Sequence, residues 1–370
     1  MFRHKTTKTF SVGEYSFDKD DLGLKPFNHC SSISSFNNIQ TLAWYGGKEC
    51  DDTQSVYITN PALRLHQQQP FTKVGDKTGN PIVFEHRGSI YMIYSKFESN
   101  RRGALRWQDC SLWLALLNVH KKKQPTIVDQ VQIADHSLHL LARCNTIKMG
   151  SDTIIPLYNE KTAQNVIMVA SEDDLLNNIP KITCTYGSGC IQHTVFRNGE
   201  SLLSLSRNFR AYDDVERLAE FRQRKKRYSP LWNLTDLDLL NDIGEVDVRK
   251  ASTPNSFYFS DSKLYNYNSS VHAVDWDGEI FILWNRLATT IRSNMSLGRA
   301  AFYYDGICPT PLMKIHDVVD LTFNKRGSYP SMCVDKGKLY FTYTDDNYNI
   351  SYNVWNKRQF RHEARRRTAS

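Results

Sequence analysis

Arg326-Gly327-Ser328-Tyr329-Pro330-Ser331-Met332 is followed, after a Lys336-Gly337 pair, by Lys338-Leu339-Tyr340-Phe341-Thr342-Tyr343-Thr344. The first run is a short turn that feeds a serine, an aromatic and a proline into a strand. The second is rich in Thr and aromatics, residues that suit a pleated, half-buried surface. The Lys-Gly pair between them is hairpin chemistry, since glycine accepts the positive φ that tight turns demand. The same arrangement recurs upstream. Glu85-His86-Arg87-Gly88-Ser89-Ile90-Tyr91, Phe196-Arg197-Asn198-Gly199-Glu200-Ser201-Leu202 and Asp275-Trp276-Asp277-Gly278-Glu279-Ile280-Phe281 each place a glycine turn between two strand-like runs. The turns are roughly 60 to 110 residues apart, so each interval has room for more than one unit of ~40–50 residues. Other short β-rich runs cover 39–45, 55–59, 111–119, 153–157, 165–170 and 349–355. Such a succession predicts an all-β chain: a propeller, with a sandwich as the alternative.

Two segments depart from the pattern. Residues 213–227 carry Val215, Leu218 and Phe221 on one helical face, with acids at the start and bases at the end, as the helix dipole favours. They are expected to form a short helical insertion between strands. Beyond Trp355 no core pattern is visible. From Lys357 onward six basic residues face one acid, a net of +5 within a whole-chain charge of +8, which leaves +3 for the rest. Residues 358–370 are therefore expected to be a basic disordered tail, dispensable for folding, after a domain spanning 1–357. The strand ending near Trp355 is expected to pair with an N-terminal strand around Thr9 to Phe17 and so close the sheet edge.

Composition narrows the function classes. The body is not globally basic, so no specific nucleic-acid partner is indicated. Eight scattered cysteines contain no Cys-x-x-Cys pair, which removes the usual zinc spacing, and they read as mostly buried free thiols in a reducing compartment. The first residues lack the apolar core of a signal peptide, and no run reaches the ~20 apolar residues of a membrane span. A cytoplasmic or virion-associated location is the expectation.

Several blocks, in order along the chain, resemble the sialidase-like propeller family, the BNR-repeat hydrolases. Trp44-Tyr45-Gly46-Gly47-Lys48-Glu49, with Asp52 after it, is similar to that family's Trp-Phe-Gly-Gly…Glu-Gly…Asp block. Gly79-Asn80-Pro81-Ile82 looks like its Asn-Pro block, and Ile155-Pro156-Leu157-Tyr158-Asn159-Glu160 like its Leu-Pro-Leu…Glu block. Ile191-Gln192-His193 resembles Ile-Gln-Pro with histidine in place of proline, Thr253-Pro254-Asn255-Ser256 resembles Asn-Pro-Asn-Ser, and Asn285 with Arg292 resembles a late Asn…Arg block. The resemblance implies an all-β sialidase-like β-propeller of about six blades with a site at one end of its channel.

That site is expected to bind a glycan, possibly an acidic one. Arginine forks match a carboxylate, and Arg143, Arg207 and Arg292 are candidates. Glu49, Asp52 and Tyr329 are the candidate catalytic groups, since glycosidases use paired acids and sialidases a tyrosine nucleophile. Asn80, Glu160, Gln192, Arg207, Asn255, Asn285 and Arg292 are the candidate substrate-binding residues. No metal and no cofactor is implied. The chain also departs from the family. Gly327 stands where the nucleophilic tyrosine is expected, Ser171-Glu172-Asp173-Asp174 is only a remnant of the Asp-box turn, and His29-Cys30-Ser31-Ser32-Ile33 replaces the early Arg-Ile-Pro block. Two readings stay open: a sialidase-like glycoside hydrolase, or a catalytically inactive propeller that binds glycans or builds a virion or surface assembly. His29 and His193 read as hydrogen-bonded structural residues beside strands.

Overall fold

The structure, a computed structural model, describes residues 7–10, 27–48, 51–63, 71–99, 105–186, 190–199, 201–208, 232–236, 269–285, 295–303, 312–322, 326–346 and 349–368. The expected insertion at 213–227 lies outside them. The hairpin turns at Arg87-Gly88, Asp277-Gly278 and Lys336-Gly337 form with both residues left-handed, at φ values of 46° and 85°, 51° and 79°, and 49° and 69°. That twist matches the twist of the strands they join. Asn37-Asn38 makes the same turn at 52° and 60° without any glycine, because asparagine tolerates the left-handed region.

Strand β1 (Thr7–Phe10) belongs to the last sheet. The first sheet is β2 (Phe27–Phe36), β3 (Ile39–Gly47), β4 (Ser55–Thr59) and β5 (Thr72–Asp76). The second is β6 (Thr78–His86), β7 (Ser89–Ser99), β8 (Leu105–His120) and β9 (Lys123–Ala134). The third holds β10 (Leu140–Ala142), β11 (Ile147–Met149), β12 (Asp152–Asn159), β13 (Gln164–Ala170) and β14 (Lys181–Tyr186). The fourth holds β15 (Cys190–Asn198), β16 (Ser201–Asn208) and β17 (Trp232–Asp236). The fifth is β18 (His272–Trp276), β19 (Glu279–Asn285), β20 (Met295–Tyr303) and β21 (Leu312–Asp320). The sixth is β22 (Gly327–Asp335), β23 (Lys338–Asp345) and β24 (Asn349–Asn356), with β1 on its outer edge. All pairs are antiparallel.

Neighbouring sheets meet in a ring. β2 lies against β6 and β22, β10 against β6, β15 against β12 and β18, and β18 against β22. This is a β-propeller of six sheets. Five have four or more strands and the fourth sheet has three described ones. Thr7 pairs with Asn353 and Phe10 with Ile350, so an N-terminal strand closes the last blade as expected, but over Thr7–Phe10; residues 11–17 of the expected strand lie outside the described residues.

The core is a set of layers between blades. Val56 and Ile58 share a buried cluster with Val83 and Met92, Phe84 with Leu157, Tyr186 with Val195, Leu205 with Ile282, Leu297 with Phe341, and Tyr352 with Trp44. Both faces of each blade are covered, which is why β4 is buried at every position and shows no polar alternation.

Four inner strands share one irregularity near their N-terminal ends. The ladder register shifts between His29 and Ser32, Gly79 and Ile82, Ile191 and Thr194, and Ser328 and Ser331. At each shift two residues oppose one, a β-bulge. The first bulged residue is always left-handed: Cys30 at 53°, Asn80 at 48°, Gln192 at 56° and Tyr329 at 52°. The second is Ser31, Pro81, His193 or Pro330. A bulge breaks the ladder locally, so proline fits that slot. This explains why His193 occupies a proline position. In three of the four blades the next residue is a buried hydroxyl that accepts from an inner-strand N–H of the following blade. Val83 N donates to Ser32 Oγ at 3.1 Å, Ala273 N to Thr194 Oγ1 at 3.2 Å, and Ile33 N to Ser331 Oγ at 3.1 Å.

The tail expected to be disordered is a helix, α1 (Lys357–Thr368). Phe360 and Ala364, one turn apart, are buried in the cluster shared by the fifth and sixth blades. The Phe360 ring meets Phe281 edge-on at 4.9 Å. Two apolar residues give too short a pattern to announce a helix, yet one of them is a large aromatic with a place to go. Among the described residues, no helix is long and apolar enough to cross a membrane. Of the cysteines in them, Cys30, Cys110, Cys144 and Cys184 are buried free thiols and Cys333 is a half-buried one.

Candidate functional site at the channel mouth

An inner strand of a propeller exposes one backbone edge to the central axis. Here that edge is covered by a tripeptide, Arg143-Cys144-Asn145, between β10 and β11. Arg143 Nη1 donates to the Ser31 carbonyl and Nη2 to the Pro330 carbonyl, each at 3.1 Å, and Nε to Ser270 Oγ at 3.1 Å. Asn145 Nδ2 donates to the carbonyls of Ile33 at 2.6 Å and Met332 at 2.9 Å, while its Oδ1 accepts from Ser32 and Ser331. Cys144 Sγ approaches the Gln192 and Val271 carbonyls. One segment of the third blade therefore ties the first, fourth, fifth and sixth together. Arg143 was a candidate for gripping a ligand carboxylate. It is instead an axial strut, 1% exposed, with its Nε, Nη1 and Nη2 all bonded to protein acceptors.

The site forms at the end of the axis where the inner strands begin, because the bulges aim their side chains there. Tyr158, at the end of β12, stands among them. Asn80 Nδ2 donates to the Tyr158 hydroxyl oxygen at 3.3 Å and Gln192 Nε2 at 3.4 Å. Gln192 Oε1 in turn accepts from Arg207 Nη1 at 3.0 Å. Cys30 and Tyr329, the other two bulge residues, are close enough to act on the phenol electrostatically. Burial, and next the carboxylate of Glu160, push the Tyr158 hydroxyl well above its ordinary range. It stays protonated at neutral pH. With two amides donating to its oxygen, its own proton is left to donate. All four members of the Arg207–Gln192–Tyr158–Asn80 chain are buried, and they come from three blades.

Of the residues singled out in the sequence, Asn80, Gln192 and Arg207 come together, with Glu160 beside them. Tyr329 borders them, and the remaining ones have different surroundings. Asp52, half exposed, pairs with Lys77 at 3.5 Å. Asn285, fully buried, donates to the Gly327 carbonyl at 2.5 Å. Tyr329 packs edge-on against His29 at 4.2 Å, with the Arg143 guanidinium 5.2 Å from its ring. Glu49, Asn255 and Arg292 lie outside the described residues. Tyr158 carries no site signal in the sequence although it lies within Ile155-Pro156-Leu157-Tyr158-Asn159-Glu160, since a tyrosine in an apolar run reads as core. His193 is structural. Its Nε2 faces the Val166 carbonyl at 3.2 Å, so Nε2 donates and Nδ1 accepts from Tyr186. Burial lowers its pKa to about 4. Among the described residues, no group of three or more His, Cys, Asp or Glu side chains is placed to hold a metal ion.

No protein-family model matches the chain, and no curated protein matches it in sequence. Solved structures do. Trypanosoma rangeli sialidase superposes with a TM-score of 0.58 at 9% identity, over 98% of this chain and 60% of that one. The NanB sialidase of Streptococcus pneumoniae gives 0.52 at 5%, over 95% and 71%. The hemagglutinin-neuraminidase ectodomain of parainfluenza virus 5 gives 0.53 at 9%, over 95% and 84%. This chain has the sialidase-like β-propeller fold. At such identities the likeness is one of fold, and activity has to be argued from the site. The sialidase-like propeller described here spans about three fifths of the length of the trypanosomal enzyme.

Proposed function

We propose that the protein binds an acidic glycan at the channel mouth and does not cleave it. The observation that carries this reading is the buried chain from Arg207 through Gln192 and Tyr158 to Asn80. It supplies a guanidinium for a carboxylate, a phenol proton, and amides that both donate and accept, the mixture that sugar hydroxyls need. The fold adds support: a Trypanosoma rangeli sialidase of the same architecture is described in complex with sialic acid.

Gly327 supports the reading of binding without hydrolysis. A Cβ built there would stand 3.0 Å from Met295 Cβ and 3.4 Å from Thr322 Oγ1. A side chain at the place where the family resemblance expects a nucleophilic tyrosine would thus crowd Met295. Tyr329 has its own packing role, and Tyr158 is held protonated by burial, which opposes nucleophilic attack.

Titration of the protein with sialylated and neutral oligosaccharides, alongside a fluorogenic sialoside assay, tests the reading. Binding of the acidic glycan is expected, with no turnover. Arg207→Ala should remove the binding and lower Tm by about 1–4 °C, the cost of leaving the buried Gln192 Oε1 without its donor. Absence of binding, or binding indifferent to Arg207→Ala, refutes the site. Turnover by the wild type refutes the binding-only reading and restores hydrolysis.

A further inference from the structure

We infer that helix α1 is a docking rail for the phosphodiester backbone of nucleic acid, on the end of the propeller opposite the glycan mouth. Strand direction fixes the placement. Inner strands start at the mouth, so β22 ends at the far end, β23 returns, and β24 runs to the far end again, where Lys357 begins the helix. Lys357 Nζ bonds Glu279 at 2.8 Å beside the Asp277-Gly278 turn, which also belongs to that end.

The helix has two faces with different work. At 100° per residue, Phe360 and Ala364 fall on one side and are buried. Arg358, Arg361, His362, Arg365 and Arg366 fall within about 140° on the other side. All five are exposed and line one surface concavity. Lys336 and Lys338, exposed at the neighbouring β22–β23 turn, extend the basic surface. The helix and the two residues after it carry +5 of the chain's +8.

Three observations select the partner. The charge is a polycation, so the partner is a polyanion. The charges are arginines rather than lysines, whose planar forks suit phosphate oxygens. The apolar side of the helix is already spent on the propeller, which leaves nothing to insert into a bilayer, whereas interfacial helices hold membranes by an exposed apolar face. From Arg358 to Arg366 the rail is about 12 Å long. That length spans about three phosphates of one DNA strand at 3.4 Å rise. Recognition of this kind carries no base information, so it is independent of sequence.

The test is fluorescence anisotropy of the full chain with a short random-sequence DNA duplex across a salt series. Three phosphate contacts predict a log K versus log salt slope of about −2.7. Arg358→Glu with Arg366→Glu is the chosen variant, since neither residue is in the Glu279 ion pairs that pin the helix. It should weaken binding by about tenfold or more at about 50 mM salt and flatten the slope by about 2, with Tm unchanged. The corresponding double lysine variant should retain most of the slope. No duplex binding at about 50 mM salt, or binding unaffected by the double reversal, overturns the inference. So does binding to phosphatidylserine vesicles that outlasts duplex binding as salt rises, which would assign the face to lipid.

Discussion

Replacing Arg143 by methionine separates a strut from a ligand clamp. Methionine keeps much of the aliphatic volume and removes every donor. The Ser31 and Pro330 carbonyls, both at the closed axis, then lose their partner at 3.1 Å. A buried acceptor left without a donor costs about 1–3 kcal/mol. Two such groups give about 2–6 kcal/mol, and relief of the buried guanidinium's desolvation offsets part of this. A net loss of about 3 kcal/mol is the expected result. With an unfolding entropy of about 2.1 cal/mol/K per residue over 370 residues, that moves Tm down by about 4 °C. Differential scanning fluorimetry reads the shift, and glycan titration reads the site. Lysine at 143 should recover only part of the loss, because an ammonium cannot reach three acceptors spread in a plane. A methionine variant that melts within about 1 °C of the parent refutes the strut. If the same variant also loses glycan affinity, Arg143 was a clamp after all.

Two further outcomes follow from buried groups. Phe360→Ala should cost about 3 kcal/mol, at the lower end for a buried phenylalanine because a terminal helix can peel away, and lower Tm by about 4 °C. An unchanged melt would mean that α1 does not hold the fifth and sixth blades together. Stability should also fall as pH drops from about 6.5 toward 4. Burial, helped at His272 by the Arg143 charge, lowers the folded pKa of His193 to about 4 and of His272 to about 3. The unfolded chain therefore binds protons in that window that the folded one refuses. Each histidine can contribute a slope of up to about 1.4 kcal/mol per pH unit. Urea midpoints that stay flat from pH 7 to 5 rule this out, and His272→Asn should remove one histidine's share.

The parts of the fold that local chemistry specifies were legible in the sequence. Arg87-Gly88, Asp277-Gly278 and Lys336-Gly337 were readable because glycine marks a positive φ. Asn37-Asn38 was not, since two asparagines mark a loop as readily as a turn. No bulge was legible as such, although Pro81 and Pro330 mark two of the four positions as breaks in a ladder. Gln192-His193 and Cys30-Ser31 make the same bend with no signal in composition. Arg143 could not be read correctly at all. Its partners lie 112 and 187 residues away, and only ring closure brings them to the axis. The mouth was half legible: Asn80 and Gln192 came from family blocks and Arg207 from the match of a guanidinium fork to a carboxylate, whereas Tyr158 needed the geometry.

One device underlies both the closure of the ring and its mouth. The axis-facing edge of an inner strand presents unpaired carbonyls at every second residue. Ser31 and Ile33 on β2, and Pro330 and Met332 on β22, are such alternating pairs, and Arg143 and Asn145 bond all four. Each pair begins at the second residue of a bulge. The first residue of the same bulge, Cys30 or Tyr329, faces the Tyr158 end. A bulge thus turns one side chain toward the mouth while it hands the next carbonyl to the plug. Substitutions at the bulges are for this reason expected to move stability and ligand affinity together. Changes at Arg207, one strand further out, should move affinity more than stability, since they leave the plug's bonds to the inner strands in place, and comparing Tm with glycan affinity across the two sets distinguishes a mouth built on the plug from one merely adjacent to it.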